Sequence, residues 1–276
     1  MFLNALEHMT RRKLILIVGI LSAVYLFLFW KGIAAADPRS LTVDSGIPAS
    51  DADLAYAALT IAGSMLSVMV WGLTIVLGAS ILPDEMDAGR MSIWAALPQS
   101  RFRVYAATTL APLMVSVVFG YILFGLTAVI TSFYAPFTPS SIPLSVVSMP
   151  IWLSATWAFV IFGSLVMGKI PAMLVTFVLE GFAIGMGNMV ELGKNIPELH
   201  ESTFYTVARV VTFVLPFERG FRSVQMGLLP EASMIDEALA MLGIGGDLPF
   251  WEVLYPGVWA AAIFFLGYRI FRKRDL

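Results

Sequence analysis

Two runs without a single charged residue, 54–82 and 104–134, constrain the fold of this chain more than any other feature. Each is longer than the roughly 20 residues that a helix needs to cross the hydrocarbon core of a bilayer. Because lipid offers the backbone no hydrogen-bond partners, such runs must be helical. The composition agrees, with 59% hydrophobic and 13% charged residues, whereas about a quarter of the residues in soluble domains are charged. The sequence therefore predicts an all-α polytopic membrane protein.

Four further apolar runs complete the pattern. Two of them carry no charge, and the other two contain a single charged residue each, Lys31 in the first and Glu180 in the fifth. We therefore expect one transmembrane domain, 1–276, with six transmembrane helices at 14–36, 54–82, 104–134, 146–168, 172–190 and 253–268.

The N-terminal end is open to two interpretations. Phe2, Leu6 and Met9 fall near one helical face ahead of three basic residues, which predicts an interfacial helix over 1–13. However, three alanines at 34–36 that follow an apolar run also resemble the cleavage site of a secretory signal. The run is long for a signal peptide, which favours a retained first span.

The positive charges orient the helices. Loops on the cytoplasmic side carry an excess of lysine and arginine close to the membrane. With both termini inside, the inner segments hold most of these residues, namely Arg11, Arg12, Lys13, Arg90, Arg101, Arg103, Lys169, Arg269, Arg272, Lys273 and Arg274. The outer segments hold Lys31, Arg39, Lys194, Arg209, Arg219 and Arg222, mostly in a long last loop where the rule counts least. We expect cytoplasmic N- and C-termini.

The long outer segment, 191–252, contains an apolar stretch at 203–215 that ends before Pro216. This stretch is too short to span a bilayer. A re-entrant or interfacial element is favoured over a seventh crossing, because a seventh crossing would place the basic C-terminus outside.

A polar segment, 83–103, separates the second and third runs. Asp84 is a candidate N-cap with an acidic residue three positions later, and Pro98 ends the predicted helix, which covers 84–97. Within it, Ile93, Trp94 and Leu97 share one face. A short amphipathic helix between two spans rests either on the bilayer surface or on another protein.

Three residues inside the fifth run are candidates for function. Glu180 is costly in hydrocarbon, so it faces protein or water. It either lines a path for a cationic substrate or is a protonated carboxyl bonded to a neighbouring helix. Next to it, Gly181 and Gly185 form a GxxxG pattern that permits close helix packing, within one chain or between two. The pattern is common in membrane helices, which favours chance or a contact within the chain.

Several classes of chemistry are excluded or disfavoured. The chain has no cysteine and two histidines, neither within a span, which leaves little for a metal site or a thiol nucleophile. The stretch from Gly163 to Lys169 has the glycine and lysine spacing of a phosphate-binding loop, but Ile170 replaces the Ser or Thr that such a loop needs for magnesium. The net charge of −2, without a basic face, gives no indication of nucleic-acid binding.

The topology and the polar segment together resemble the permease subunits of ABC-2 type transporters. The local match is Glu85, Gly89, Leu97-Pro98 and Ser100-Arg101, similar to the E…G…P-x-S-R pattern that follows the second span in that family. The resemblance implies that 1–13 is an elbow helix and that 84–97 is the coupling helix, which contacts a separate ATPase. The implied contact residues are Glu85, Gly89, Arg90, Ile93, Trp94, Pro98 and Arg101.

The same resemblance implies a half-size permease of the plasma membrane that pairs with a second copy, as a homodimer, and with two ATPase subunits. ATP and magnesium would bind to the ATPase, with no cofactor in this chain, and export is the expected direction.

The rival classes are an ion-coupled secondary carrier and a membrane enzyme. A single buried charge and the lack of an evident inverted repeat disfavour a carrier, and the absence of an HExxH motif or paired intramembrane aspartates disfavours an enzyme.

Overall fold

A computed structural model describes residues 13–35, 51–89, 91, 100–134, 142–196, 200–217 and 250–274. All the regular elements in these ranges are helical. The seven helices named here are α1 (Lys13–Ala35), α2 (Asp51–Asp87), α3 (Arg101–Tyr134), α4 (Ile142–Met167), α5 (Lys169–Asn195), α6 (Thr203–Val214) and α7 (Phe250–Lys273). Six of them, all except α6, are long and apolar enough to cross a membrane, which fits the predicted multi-pass membrane protein.

Helices α2 and α4 form the centre of the bundle. In the apolar part of α2, 72% of the residues are buried, compared with 11% in α1. Helix α2 packs against α3, α4 and α5, and α4 packs against α7 as well. The close approach of α2 and α4 depends on Gly78, because a Cβ at this position would lie 2.5 Å from the Val160 side chain. The remaining helices therefore surround a two-helix core and leave apolar faces exposed.

The six long helices alternate in direction. A hydrogen bond from Trp30 Nε1 to Tyr134 Oη, 2.6 Å long, joins the ends of α1 and α3. At the other end of the bundle, the start of α5 contacts the end of α2, and the start of α3 contacts the end of α7. Both Lys13 and Lys273 therefore belong to the same end of the bundle. We call it the basic end, after Arg101, Arg103, Lys169, Arg269, Arg272, Lys273 and Arg274, and we call the opposite end the aromatic end.

Four of these helices contain an internal proline, Pro83, Pro112, Pro150 and Pro256. A proline has no N–H to donate to the carbonyl four residues earlier, yet transmembrane helices tolerate it where a neighbour supplies a donor. For Pro150 that carbonyl belongs to Val146, and it accepts a hydrogen bond from the hydroxyl of Tyr121 on α3. The gap in the hydrogen bonding of α4 is thus closed by a different helix.

The turn between α4 and α5 consists of Gly168 alone. Its φ of 86° lies in the left-handed region, which glycine adopts readily. Gly163 of α4 faces Ala172 of α5 so closely that a Cβ on the glycine would lie 3.3 Å from the Ala172 Cβ. The sequence prediction placed this turn at 169–171 and began the fifth span at residue 172, whereas α5 already begins at Lys169.

Helix α6 lies at the aromatic end. The side chain of Ser202 caps its start by accepting a hydrogen bond from the backbone N–H of Tyr205 at 3.1 Å. Tyr205 packs on Gly193 of α5, and the Tyr255 hydroxyl of α7 donates to the carbonyl of Phe213 at 2.7 Å. Twelve residues make a helix about 18 Å long, well short of the hydrocarbon core. The predicted apolar stretch at 203–215 therefore contains a helix, Thr203–Val214, that is too short to be a span.

Candidate functional site

The structure describes both edges of the polar segment between α2 and α3. Helix α2 continues through Pro83 to Asp87, and the chain then turns at Gly89, whose N–H donates to the carbonyl of Met86 at 2.9 Å. The φ of Gly89 is 68°, which a side chain with a Cβ rarely adopts. Gly89 therefore ends α2.

The prediction that Asp84 caps a new helix was wrong. Asp84 lies inside α2, and its Oδ1 is 3.1 Å from Nζ of Lys169 at the start of α5. The local capping pattern pointed to a helix start, but Pro83 is accommodated within α2 and Asp84 has a tertiary partner. The Asp84–Lys169 ion pair joins the end of α2 to the turn between α4 and α5.

Arg101 forms the other edge of the segment. Its Nη1 donates to the backbone carbonyls of Arg272 at 2.9 Å and of Arg274 at 3.1 Å. The last carbonyls of a helix have no partner within the helix, and a cation there also complements the negative end of the helix dipole. Arg101 therefore caps α7, a role that the sequence did not indicate.

Arg274 extends this contact towards the core. It donates to the carbonyl of Leu165 near the end of α4, and its Nη1 lies 4.0 Å from the sulfur of Met86 on α2. The ends of α2, α4 and α7 and the starts of α3 and α5 are thereby tied together at the basic end.

The remaining predicted contact residues differ in position. Glu85 is 1% exposed, so its side chain is buried within this chain. Four residues, Arg90, Ile93, Trp94 and Pro98, lie outside the described residues. The predicted elbow helix also lies outside them, apart from Lys13. Of the polar segment, the described chain thus shows the two edges, with Asp84 and Gly89 at one and Arg101 at the other.

Glu180 forms a second polar site, in the interior of the bundle. Its carboxyl group is 0% exposed and contacts both central helices. Oε2 accepts hydrogen bonds from Trp71 Nε1 of α2 and, at 2.9 Å, from Thr156 Oγ1 of α4. Both donors are neutral. Within the described part of the chain, Oε1 has no hydrogen-bond partner.

Phe177 covers this site from one helical turn away. Its ring stacks on the indole of Trp71, with the centroids 4.8 Å apart and the planes at 23°. The side of Phe177 turned away from Trp71 is open, since the residue is 55% exposed. The sequence predicted that Glu180 faces protein or water, but it gave no sign of Trp71 or Thr156 as its partners.

Gly181 and Gly185 lie beside Glu180 on the outer surface of α5. Both are exposed, and a Cβ at either position would meet no atom within 4 Å. Within the described chain they therefore serve no close helix packing.

No protein-family model, curated protein or solved structure matches this chain. The described residues also contain no cluster of three or more His, Asp or Glu side chains that could hold a metal ion.

Proposed function

We propose that this chain is the permease subunit of an ABC-2 type transporter that exports its substrate across a plasma membrane, with a separate ATPase bound at the basic end. The observation that carries the proposal is the pair of contacts that flank residues 90–99. Asp84 joins one edge of this short polar segment to the start of α5, and Arg101 joins the other edge to the end of α7. A segment anchored in this way can pass the movement of a bound ATPase to several spans at once.

Other features support the same assignment. The basic end carries the positive charges that mark a cytoplasmic side, so both termini are proposed to be cytoplasmic. Helix α6 is proposed to be the re-entrant element between the last two spans, because it is too short to cross and packs between α5 and α7 at the aromatic end. Residues 1–13 are proposed to form the elbow helix.

A second copy of the chain is proposed to complete the translocation path. Helix α5 offers an exposed face for it, with Gly181 and Gly185 among large apolar residues such as Phe177, Val178 and Phe182. Small residues allow the backbones of membrane helices to approach closely. Glu180 lies just behind this face, so it would line the path only after α5 moves away from α2 and α4.

Glu180→Gln tests this role, because glutamine keeps an acceptor for Trp71 and Thr156 but removes the acid. If Glu180 binds a cationic substrate, transport should fall at least tenfold while the thermal midpoint stays within about 2 °C. Unchanged transport would assign Glu180 to packing alone.

The main experiment is co-purification from the native host in mild detergent, followed by mass spectrometry. We expect an ATPase subunit in a two-plus-two complex. Arg90→Ala combined with Trp94→Ala should abolish ATPase binding without affecting membrane insertion, whereas Lys31→Gln at the aromatic end should retain it. Glu85 and Arg101 are less suitable because both serve intramolecular contacts.

A chain that elutes without any nucleotide-binding partner would overturn the permease proposal. Uptake or efflux driven by an ion gradient without ATP would then favour the secondary carrier.

A further inference from the structure

We propose that the basic end contains a binding site for the headgroup of an anionic phospholipid. The last turn of α7 borders an open cavity of about 490 Å³, whose described lining consists of Arg269, Ile270, Arg272 and Lys273. Three of these four side chains are cations. A cavity with such a lining selects an anion, and arginine in particular matches the geometry of a phosphate group.

The three cations are not neutralised by the part of the chain that the structure describes. The Asp84–Lys169 ion pair lies at a different position on the basic end and does not involve them. Arg101 donates a hydrogen bond to the backbone carbonyl of Arg272, and this bond does not involve the guanidinium group of Arg272. The cationic groups of Arg269, Arg272 and Lys273 are therefore free of any described carboxylate and are placed for an external anion.

An exposed apolar surface continues from this cavity towards the membrane interior. Phe265 is 55% exposed and Leu266 is 46% exposed, and they lie one to two turns below the cations. Residues spaced by three, four or seven share a helical face, so Phe265 lies under Arg269 and Arg272, and Leu266 lies under Lys273. Phe102 of α3 widens this surface, with its ring parallel to that of Phe265 at 6.2 Å.

The combination of a cationic cavity and an apolar strip identifies the occupant. A free phosphate ion or an acidic protein segment would use the cations and leave the strip uncovered. A phospholipid uses both, with the phosphate in the cavity and an acyl chain along Phe265 and Phe102. Basic pockets at the membrane face of transmembrane helices bind anionic headgroups in this way.

Native mass spectrometry of the purified chain tests the site directly. The protein is stripped of lipid and equilibrated in detergent with equimolar phosphatidylglycerol and phosphatidylcholine of identical acyl chains. We expect preferential retention of phosphatidylglycerol. Arg272→Gln and Lys273→Gln should each lower this affinity about fivefold, which corresponds to about 1 kcal/mol per basic residue. The triple glutamine variant at positions 269, 272 and 273 should lose the preference.

Two matched variants control for folding and for nonspecific charge. Arg272→Lys keeps the charge and should retain most of the preference. Lys31→Gln removes a cation from the aromatic end, where Nζ of Lys31 lies 4.7 Å from the centre of the Trp30 ring, and should leave the preference unchanged.

Equal retention of the two lipids by the wild type, or an unchanged preference in the single and triple glutamine variants, would overturn the proposal. Complete displacement of the lipid by millimolar inorganic phosphate would also overturn it, since the site would then recognise a free anion. None of these outcomes involves an ATPase, so the lipid site and the permease assignment succeed or fail separately.

Discussion

The polar contacts between helices differ at the two ends of the bundle. At the basic end they are ionic or involve a charged donor, as in Lys169–Asp84 and the bonds from Arg101 to the carbonyls of α7, beside aromatic packing of α3 on α7. At the aromatic end the described contacts between helices are neutral, as in Trp30–Tyr134, Tyr255–Phe213 and the packing of Tyr205 on Gly193.

This difference indicates at which end the polar contacts between helices are easier to weaken. Exposed charge pairs are weak and are screened by salt, so a charged partner can compete for them. Closely packed contacts are sensitive instead to changes in side-chain volume. They keep one arrangement until a steric clash disrupts it. The polar contacts at the basic end can therefore be weakened by salt or by competing charges, whereas the neutral contacts at the aromatic end cannot.

The largest effect is expected at the aromatic end from Gly193→Leu. A Cβ at position 193 would lie 2.4 Å from Tyr205 Cδ2, and Tyr205 is only 6% exposed. Overpacking of this kind costs about 1–3 kcal/mol. The free energy of unfolding, measured in detergent with increasing denaturant, should fall by that amount. Gly19→Leu on α1 is the control, because a Cβ there meets nothing within 4 Å. Equal losses in both variants would show that α6 does not pack on Gly193.

An intermediate effect is expected at the basic end from Arg101→Ala. The substitution leaves the carbonyls of Arg272 and Arg274 without their charged donor, at a cost of about 1 kcal/mol for a solvent-exposed contact. Amide hydrogen exchange should accelerate in the last turn of α7 and stay unchanged in α6. Arg103→Ala removes a neighbouring exposed cation and should not alter exchange there. If Arg101→Ala leaves the exchange of α7 unchanged, the capping role is disproved.

The smallest effect is the change in the Asp84–Lys169 coupling energy with salt. It also contrasts the two ends most directly. The side chains of Lys169 and Asp84 are 40% and 30% exposed, so their coupling energy in a double-mutant cycle should not exceed about 1 kcal/mol. It should fall towards zero in 1 M salt, where the Debye length is about 3 Å. The Trp30–Tyr134 coupling, measured with phenylalanine at both positions, should not respond to salt. Salt-dependent couplings at both ends would remove the distinction between them.

The six long apolar helices could be predicted from the sequence because a helix that crosses a bilayer needs a long apolar run, whatever its neighbours are. Their ends were less accurate. Helix α2 runs over Asp51–Asp87 where 54–82 was expected, and α7 runs over Phe250–Lys273 where 253–268 was expected. Polar residues can continue a helix beyond the apolar run, so hydropathy marks the part of a helix that lies in hydrocarbon and not where the helix stops.

The polar contacts could not be predicted in the same way, since each depends on residues that are distant in sequence. Trp71 lies 109 positions from Glu180, and Asp84 lies 85 positions from Lys169. At Asp84 the local capping pattern predicted a helix start, but the residue lies within a continuous helix. The apolar strip near the C-terminus was visible in the sequence as part of a span, but its position below a cationic cavity required the packing of α3 against α7.

The turn at Gly168 also bears on how the chain enters the membrane during synthesis. With a single residue between α4 and α5, these two helices form a tight hairpin, which we expect to enter the membrane as one unit. Thr156 and Glu180 lie equally far along the chain on either side of Gly168, so the hairpin itself brings the carboxyl group to its hydroxyl partner. The acid that is most costly in lipid thus arrives in the bilayer with a hydrogen-bond donor already opposite it.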